Sequence, residues 1–413
     1  MQRISGITSA LVLGAASCYA APASAVGPGV TIATADMNGD GIPDLVTLST
    51  DDSTVNVVTV DPKGDFILLS PQSFTDIPQM SSVAIVDVNG DGIPDVVISD
   101  GSGSAAGVRV LLNDGHGKLA ADASYPSETS PGAGPVSVIA ADVNGDGKPD
   151  LVTANAGDGT VSVLVNNGDG SFAPPVSYAA GSDPVAVAVG DLNGDGFPDL
   201  AVADSAGNSV QVLLNNGDGT LASPVAIADG TGPVAVVLAD VNGDGHLDIV
   251  VADGGDSKVA VLTGAGDGTF ATPVFYDTGS NPGWVAAHDL SGDGRLDLVT
   301  ANYSDGSVSV FANTVGGNFV PTLQVFPAYG SYDTVIMDVA GKPQLISANV
   351  QAGAVVVTRA SVSTKSSGGS PPPSVTHKIQ GAQNPQSSSG GGAYSVLSLL
   401  LLGIAALRRS LVC

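Results

Sequence analysis

Residues 184–230 hold four short apolar runs separated by turn residues. Pro184-Val-Ala-Val-Ala-Val189 alternates as a strand does. Leu200-Ala-Val-Ala predicts a second strand, Val210-Gln-Val-Leu-Leu214 a third and residues 221–227 a fourth. Asp204-Ser-Ala-Gly-Asn208 and Asn215-Asn-Gly-Asp-Gly219 are the turns on either side of the third strand. In the later part of the chain the same order returns every 49 residues. Four antiparallel strands per ~50 residues form the unit of a propeller blade. The pattern predicts an all-β chain, a seven-bladed β-propeller of four-stranded antiparallel blades, over residues 26–360. Small Ala and Val side chains in the first strand suit a crowded central channel.

Between the first and second predicted strands lies a nine-residue string, Asp-x-Asn-Gly-Asp-Gly-x-x-Asp. Side chains one, three, five and nine, with the main-chain carbonyl of position seven, predict a calcium loop. Calcium takes six to eight hard oxygens, and three crowded carboxylates call for a cation. The six candidate ligand sets are Asp36, Asn38, Asp40, Ile42, Asp44; Asp87, Asn89, Asp91, Ile93, Asp95; Asp142, Asn144, Asp146, Lys148, Asp150; Asp191, Asn193, Asp195, Phe197, Asp199; Asp240, Asn242, Asp244, His246, Asp248; and Asp289, Ser291, Asp293, Arg295, Asp297. About six structural calcium ions are expected. An EF-hand-like loop would carry its last acid at position twelve and run into a helix. Here the acid stands at nine and a β-type run follows. A seventh copy, starting at Asp338, has lost two residues and places Ala340 and Gln344 where ligands would be, so no calcium is expected there. The sequence leaves open whether residues 359–364 or residues 21–27 supply the last blade's fourth strand.

Charge sharpens this picture. The formal net charge is −27, and the 40 acidic residues are 39 Asp and a single Glu128, with 18 Asp in the six loops. Asp favours loops and metal sites where helical chains use Glu. A surface this acidic repels nucleic acid and anionic lipid. Asp169, Asp218 and Asp267 recur singly in the turn after the third strand and read as turn formers. Cys18 and Cys413 both fall outside the repeats, so no disulfide framework is expected.

The two ends predict export. Residues 1–25 have a short basic start, an apolar stretch around Leu11 and small residues at Ala23-Ser-Ala25, as a signal peptide does. Residues 361–392 are rich in Ser, Pro and Gly and read as a linker. Residues 393–413 hold an apolar run ending in Arg408-Arg409. Its ~15 residues would span about 22 Å as a helix, short for a membrane. The tail is similar to the GlyGly type of bacterial sorting signal, which implies processing by a rhomboid-like protease.

The six loops at blade-length spacing resemble the FG-GAP/VCBS repeat family, over residues ~27–360. The resemblance implies a calcium-loaded propeller like the head of integrin α subunits. It also implies that partners bind the face opposite the calcium loops. Catalytic groups are sparse. His116, His246, His288 and His377 are the only histidines, and none stands in a catalytic motif. Ten of the 18 aromatics lie between Phe270 and Tyr332. Phe270, Phe311 and Phe319 are expected between blades. Tyr276, Trp284, Tyr303, Tyr329 and Tyr332 are candidate ligand-binding residues. The resulting expectation is a monomeric, secreted or cell-surface adhesion module for a protein or glycan. A calcium-dependent polysaccharide lyase or hydrolase and a surface-layer spacer are the alternatives.

Overall fold

The computed structural model describes residues 30–325, apart from 50–52, 62–65, 70–71, 75–79, 102–105 and 128–133, and then the strand segments between 333 and 379. The leader, the tail, Glu128, Tyr329, Tyr332 and Ala340 lie outside the described residues. Among the described residues there are strands and turns only, and no helix long and apolar enough to cross a membrane.

Six sheets are four-stranded antiparallel meanders. The one at 184–228 is representative: Pro184–Gly190, Asp199–Asp204, Ser209–Leu213 and Val225–Ala228 pair in chain order. The same order holds at 80–126, 135–179, 233–277, 282–325 and 333–379. The expectation of seven four-stranded blades is therefore corrected to six. The first sheet has five strands, because two short pieces, Phe66–Leu68 and Gln72–Ser73, both pair with Thr54–Val60.

The first strands of successive sheets lie side by side in cyclic order, and Val30–Ala35 neighbours both Met80–Val86 and Asp333–Val339. Each second strand sits mid-sheet with a neighbouring sheet over both faces. All six residues of Asp95–Asp100, Asp150–Asn155, Asp199–Asp204, Asp248–Asp253 and Asp297–Asn302 are accordingly buried. This is why the second strands read as continuous apolar runs rather than as alternation. The fourth strands form the rim: in Val176–Ala179, Val225–Ala228 and Val274–Asp277 only the tyrosine or its counterpart is shielded.

The last sheet departs at both ends. Its first two strands pair as far as Val339↔Lys342, leaving two residues between them, where Ala35↔Asp44 encloses eight. Asp338 is thus a ladder residue opposite Pro343 rather than the opening of an Asp-rich loop. The fourth strand is Val375–Ile379, paired with residues 355–359 of Ala354–Ser361. It is neither of the two segments left open above, and it falls inside the expected linker.

Candidate functional site

Each Asp-rich loop is wound around its first side chain. Asp36 Oδ1 accepts the amides of Gly39 (2.8 Å) and Asp40 (3.1 Å), and Oδ2 accepts that of Gly41 (2.7 Å). Asn38 Oδ1 accepts the Asp40 amide at 2.9 Å, and Asp40 Oδ1 accepts that of Ile42 at 2.8 Å. Asp87, Asp142, Asp191, Asp240 and Asp289 hold their loops in the same way. Gly39 and Gly41 have φ of 77° and 82°, and a Cβ at either would meet nothing within 4 Å. Glycine is required there by conformation, not by space.

The ninth residue has a second task that spacing alone did not reveal. Asp44 is fully buried, and its two oxygens accept the amides of Met37 (3.0 Å) and Val60 (2.8 Å). One partner lies in the loop and the other at the end of the third strand. Asp95, Asp150, Asp199, Asp248 and Asp297 repeat the pair of bonds. Burial pushes the Asp44 and Asp95 carboxyls up to about 6, against these bonds, and the carboxylates at positions five and one add to the rise. Asp150, Asp199, Asp248 and Asp297 are raised by the same causes. Among the described residues no three His, Cys, Asp or Glu side chains are gathered as a metal-holding group. The loops bring positions one, three and five together around their own amides, while position nine faces inward to the sheet.

Position seven also does more than present a carbonyl. Its side chain lies over the turn that follows the third strand. Lys148 Nζ donates to Asn167 O at 3.1 Å, and Arg295 Nε to Asn313 O at 3.1 Å. A Cβ on Gly168, Gly217 or Gly266 would stand within 3.0 Å of Lys148, Phe197 or His246 respectively. Two of these side chains bring a positive charge to position five: Lys148 is 3.6 Å from Asp146, and Arg295 is ion-paired with Asp293.

The turn after the third strand carries a residue not singled out from the sequence. Asn215 Nδ2 donates to Pro198 O (3.1 Å) in its own sheet and to Val143 O (2.8 Å) in the loop of the preceding sheet. Asn113, Asn166 and Asn313 make the same two bonds to their own and the preceding loop. The loops that begin at Asp36, Asp87, Asp142 and Asp240 are thereby held by the next sheet. The recurrence of Asn in this register was visible in the sequence; its partner, 72 or more residues away, was not. Asp169, Asp218 and Asp267 are turn formers as expected, each accepting from the hydroxyl and amide two residues on.

The aromatic candidates do not make a common surface. Trp284 is 2 % exposed, so its proposed role on the surface is corrected to a core role. It belongs to a buried cluster that also holds Ala235, Ala252, Ala301 and Phe311. Tyr276 is half-buried, edge-on to Phe319 at 5.5 Å and tilted against Phe311 at 6.3 Å. Phe311 and Phe319 are buried as expected. Tyr303 is half-buried in the second-to-third connection, its amide bonded to Asn281 O at 2.8 Å. His246 stacks on its own turn, and His288 closes the strand Pro282–His288 opposite Asp297.

A model of the FG-GAP-like repeat matches residues 36–98, 94–153, 142–202, 191–251 and 240–300, each match running from one Asp-rich loop to the strand after the next. The chain belongs to the FG-GAP-like repeat family. No curated protein matches it. Solved structures similar to this FG-GAP-like chain share the propeller fold at low identity. A Bacteroides uniformis protein provisionally assigned as a 6-phosphogluconolactonase is 15 % identical, with TM-score 0.57, over 86 % of this chain and 97 % of that one. BBS1N, solved in complex with ARL6DN, is 16 % identical, with TM-score 0.54, over 81 % and 93 %. A Lactobacillus plantarum protein is 18 % identical, with TM-score 0.54, over 81 % and 92 %.

Proposed function

We propose that this FG-GAP-like propeller is an exported binding module that engages a protein or glycan through the face opposite its Asp-rich loops. The observation that carries this reading is an asymmetry between the two ends of the strands. The loop end repeats one sequence and one hydrogen-bond pattern six times, as a scaffold does. The other end keeps a backbone path but changes its side chains. Its second-to-third turns, 156–159, 205–208, 254–257 and 303–306, all finish at a positive φ, on Gly159, Asn208, Ser257 and Gly306. They nonetheless read Ala-Gly-Asp-Gly, Ser-Ala-Gly-Asn, Gly-Gly-Asp-Ser and Tyr-Ser-Asp-Gly. Variable connections on a rigid frame are where recognition is placed. The signal-like residues 1–25 support export.

Calcium is the expected structural partner of the other face. The donors at positions one, three, five and nine are all hard oxygens with lone pairs left after their amide bonds, and a cation would relieve the raised carboxyl at position nine. The ion would supply charge neutralisation only. The test is a screen of the calcium-loaded chain against glycan and surface-protein arrays. The hit should then lose at least tenfold in affinity with Tyr303→Ala. Retained affinity after changes in all four variable turns would refute the assignment of the face.

A further inference from the structure

Asp253 closes the strand Asp248–Asp253, and Asp229 opens the connection from Val225–Ala228 to Pro233–Ala239. Both lie at the strand ends opposite the Asp-rich loops. Asp253 is 0 % exposed, and neither of its carboxylate oxygens has a hydrogen-bond partner. The oxygens of Asp229 are also buried, with only the adjacent Gly230 amide acting on the carboxyl. Gly230, next in sequence to Asp229, lies against Asp253: a Cβ there would stand 2.2 Å from Asp253 Oδ2. Burial and then the charges of Asp229 and Asp256 push the Asp253 carboxyl up to about 8, against the opposing charge of Lys258, and burial raises Asp229 to about 6.

The repeat itself supplies the comparison. One step earlier, Asp204 accepts the amides of Ser182 and Asp183, each at 2.9 Å, and Gln211 Nε2 at 3.2 Å. One step later the residue is neutral: Asn302 accepts from Thr300 Oγ1 (3.0 Å) and donates to Ser307 Oγ (2.9 Å) and Ser309 Oγ (2.8 Å). Asn155 is held in the same way by Thr153, Thr160 and Ser162. In the Asp253 sheet those three positions are Val251, Lys258 and Ala260. Two of them offer no donor, and Lys258 Nζ stands over the Phe275 ring, 5.6 Å from its centre. The position of Asp229 is Ala180 and Thr278 in the flanking sheets. The chain has therefore removed the donors and added a second carboxylate at the same place. Asp256, which accepts the Thr231 amide at 2.9 Å, adds a third negative charge at the rim.

A buried carboxylate without a donor requires a proton or a cation. We propose that Asp229 and Asp253 hold a divalent, oxygen-seeking metal ion, at a site separate from the six loops. A double charge matches two carboxylates, and main-chain oxygens or water would complete the shell that such ions demand.

The test counts ions on the full chain by native mass spectrometry in calcium, magnesium or manganese, with circular dichroism as the check on folding. Asp253→Asn should bind one ion fewer than the wild type. Ala260→Gln, which restores the amide that Gln211 gives Asp204, should also lose one ion while leaving both carboxylates in place. Asp229→Asn serves in the same way if either variant fails to fold. Folded variants that keep the wild-type count would overturn the proposal, and the pair would then share a proton. Because the readout is a difference of one ion, it is independent of whether the loops fill. Asp191→Asn reports on the loops separately.

Discussion

The bond network around Asn215 makes the sharpest prediction about what holds the ring together. Its amide donates to Val143 O and Pro198 O, its oxygen accepts the Gly217 amide at 2.9 Å, and the side chain is 4 % exposed. Asn215→Ala removes all three bonds and leaves two carbonyls and one amide dry. At about 1 kcal/mol net for each bond, the loss is roughly 3 kcal/mol, a large part of a domain's ~5–15 kcal/mol. Asn215→Asp should be worse than alanine, because it places a carboxylate oxygen against two carbonyl oxygens. Asn216 next door is the control. Its side chain is exposed and donates to Thr220 Oγ1 at 2.9 Å, so Asn216→Ala should fall within about 0.5 kcal/mol of the wild type. Urea unfolding at fixed calcium measures all three variants, and hydrogen exchange at the Gly217 amide reports the local opening. If the Asn215 and Asn216 alanine variants unfold at the same midpoint, the asparagine does not join neighbouring sheets energetically.

Further tests address the loops. Excess chelator should lower the melting temperature sharply: a site with a dissociation constant tenfold below ambient calcium adds about 1.4 kcal/mol, and six add roughly 8 kcal/mol. The third and sixth loops should fill last, since Lys148 and Arg295 already stand on their position-five carboxylates; Arg295→Ile should tighten the sixth site in calorimetric titration. Gly219→Ala should cost more than Gly196→Ala in the same melts. Both glycines have positive φ, but only the first would press a Cβ to 2.9 Å from Asn144 of the preceding sheet. In chelator the Asp44 carboxyl binds its proton more tightly folded, at about 6, than its ordinary 3.8. Its contribution is therefore present below about pH 4 and lost as pH rises through 6. The wild type should lose more stability than Asp44→Asn between pH 4.5 and 7, and an equal loss would refute that linkage.

What the sequence could and could not disclose follows from the range of each interaction. The loops were legible because their whole chemistry lies within nine residues: Asp36 bonds the amides three, four and five positions ahead of it. The strand order was legible because turn residues recur at a fixed step. The second task of position nine was hidden because its partner Val60 lies 16 residues away, on a strand whose register the loop does not specify. Trp284 looked like a surface anchor because nothing local shows that residues of the preceding sheet, such as Ala235 and Ala252, join it in one buried cluster. Val375–Ile379 was hidden in composition: a five-residue strand among Ser, Pro and Gly takes its stability from residues 355–359 rather than from its own sequence. Asp253 is the most instructive case. In isolation it reads the same as Asp204, and both close a buried second strand. Only the register of the third strand shows that Gln211, opposite Val202, answers one of them, and that Ala260, opposite Val251, takes the place of Gln211 beside the other. In a repeat protein a functional departure can therefore lie in the loss of a partner while the residue itself is kept.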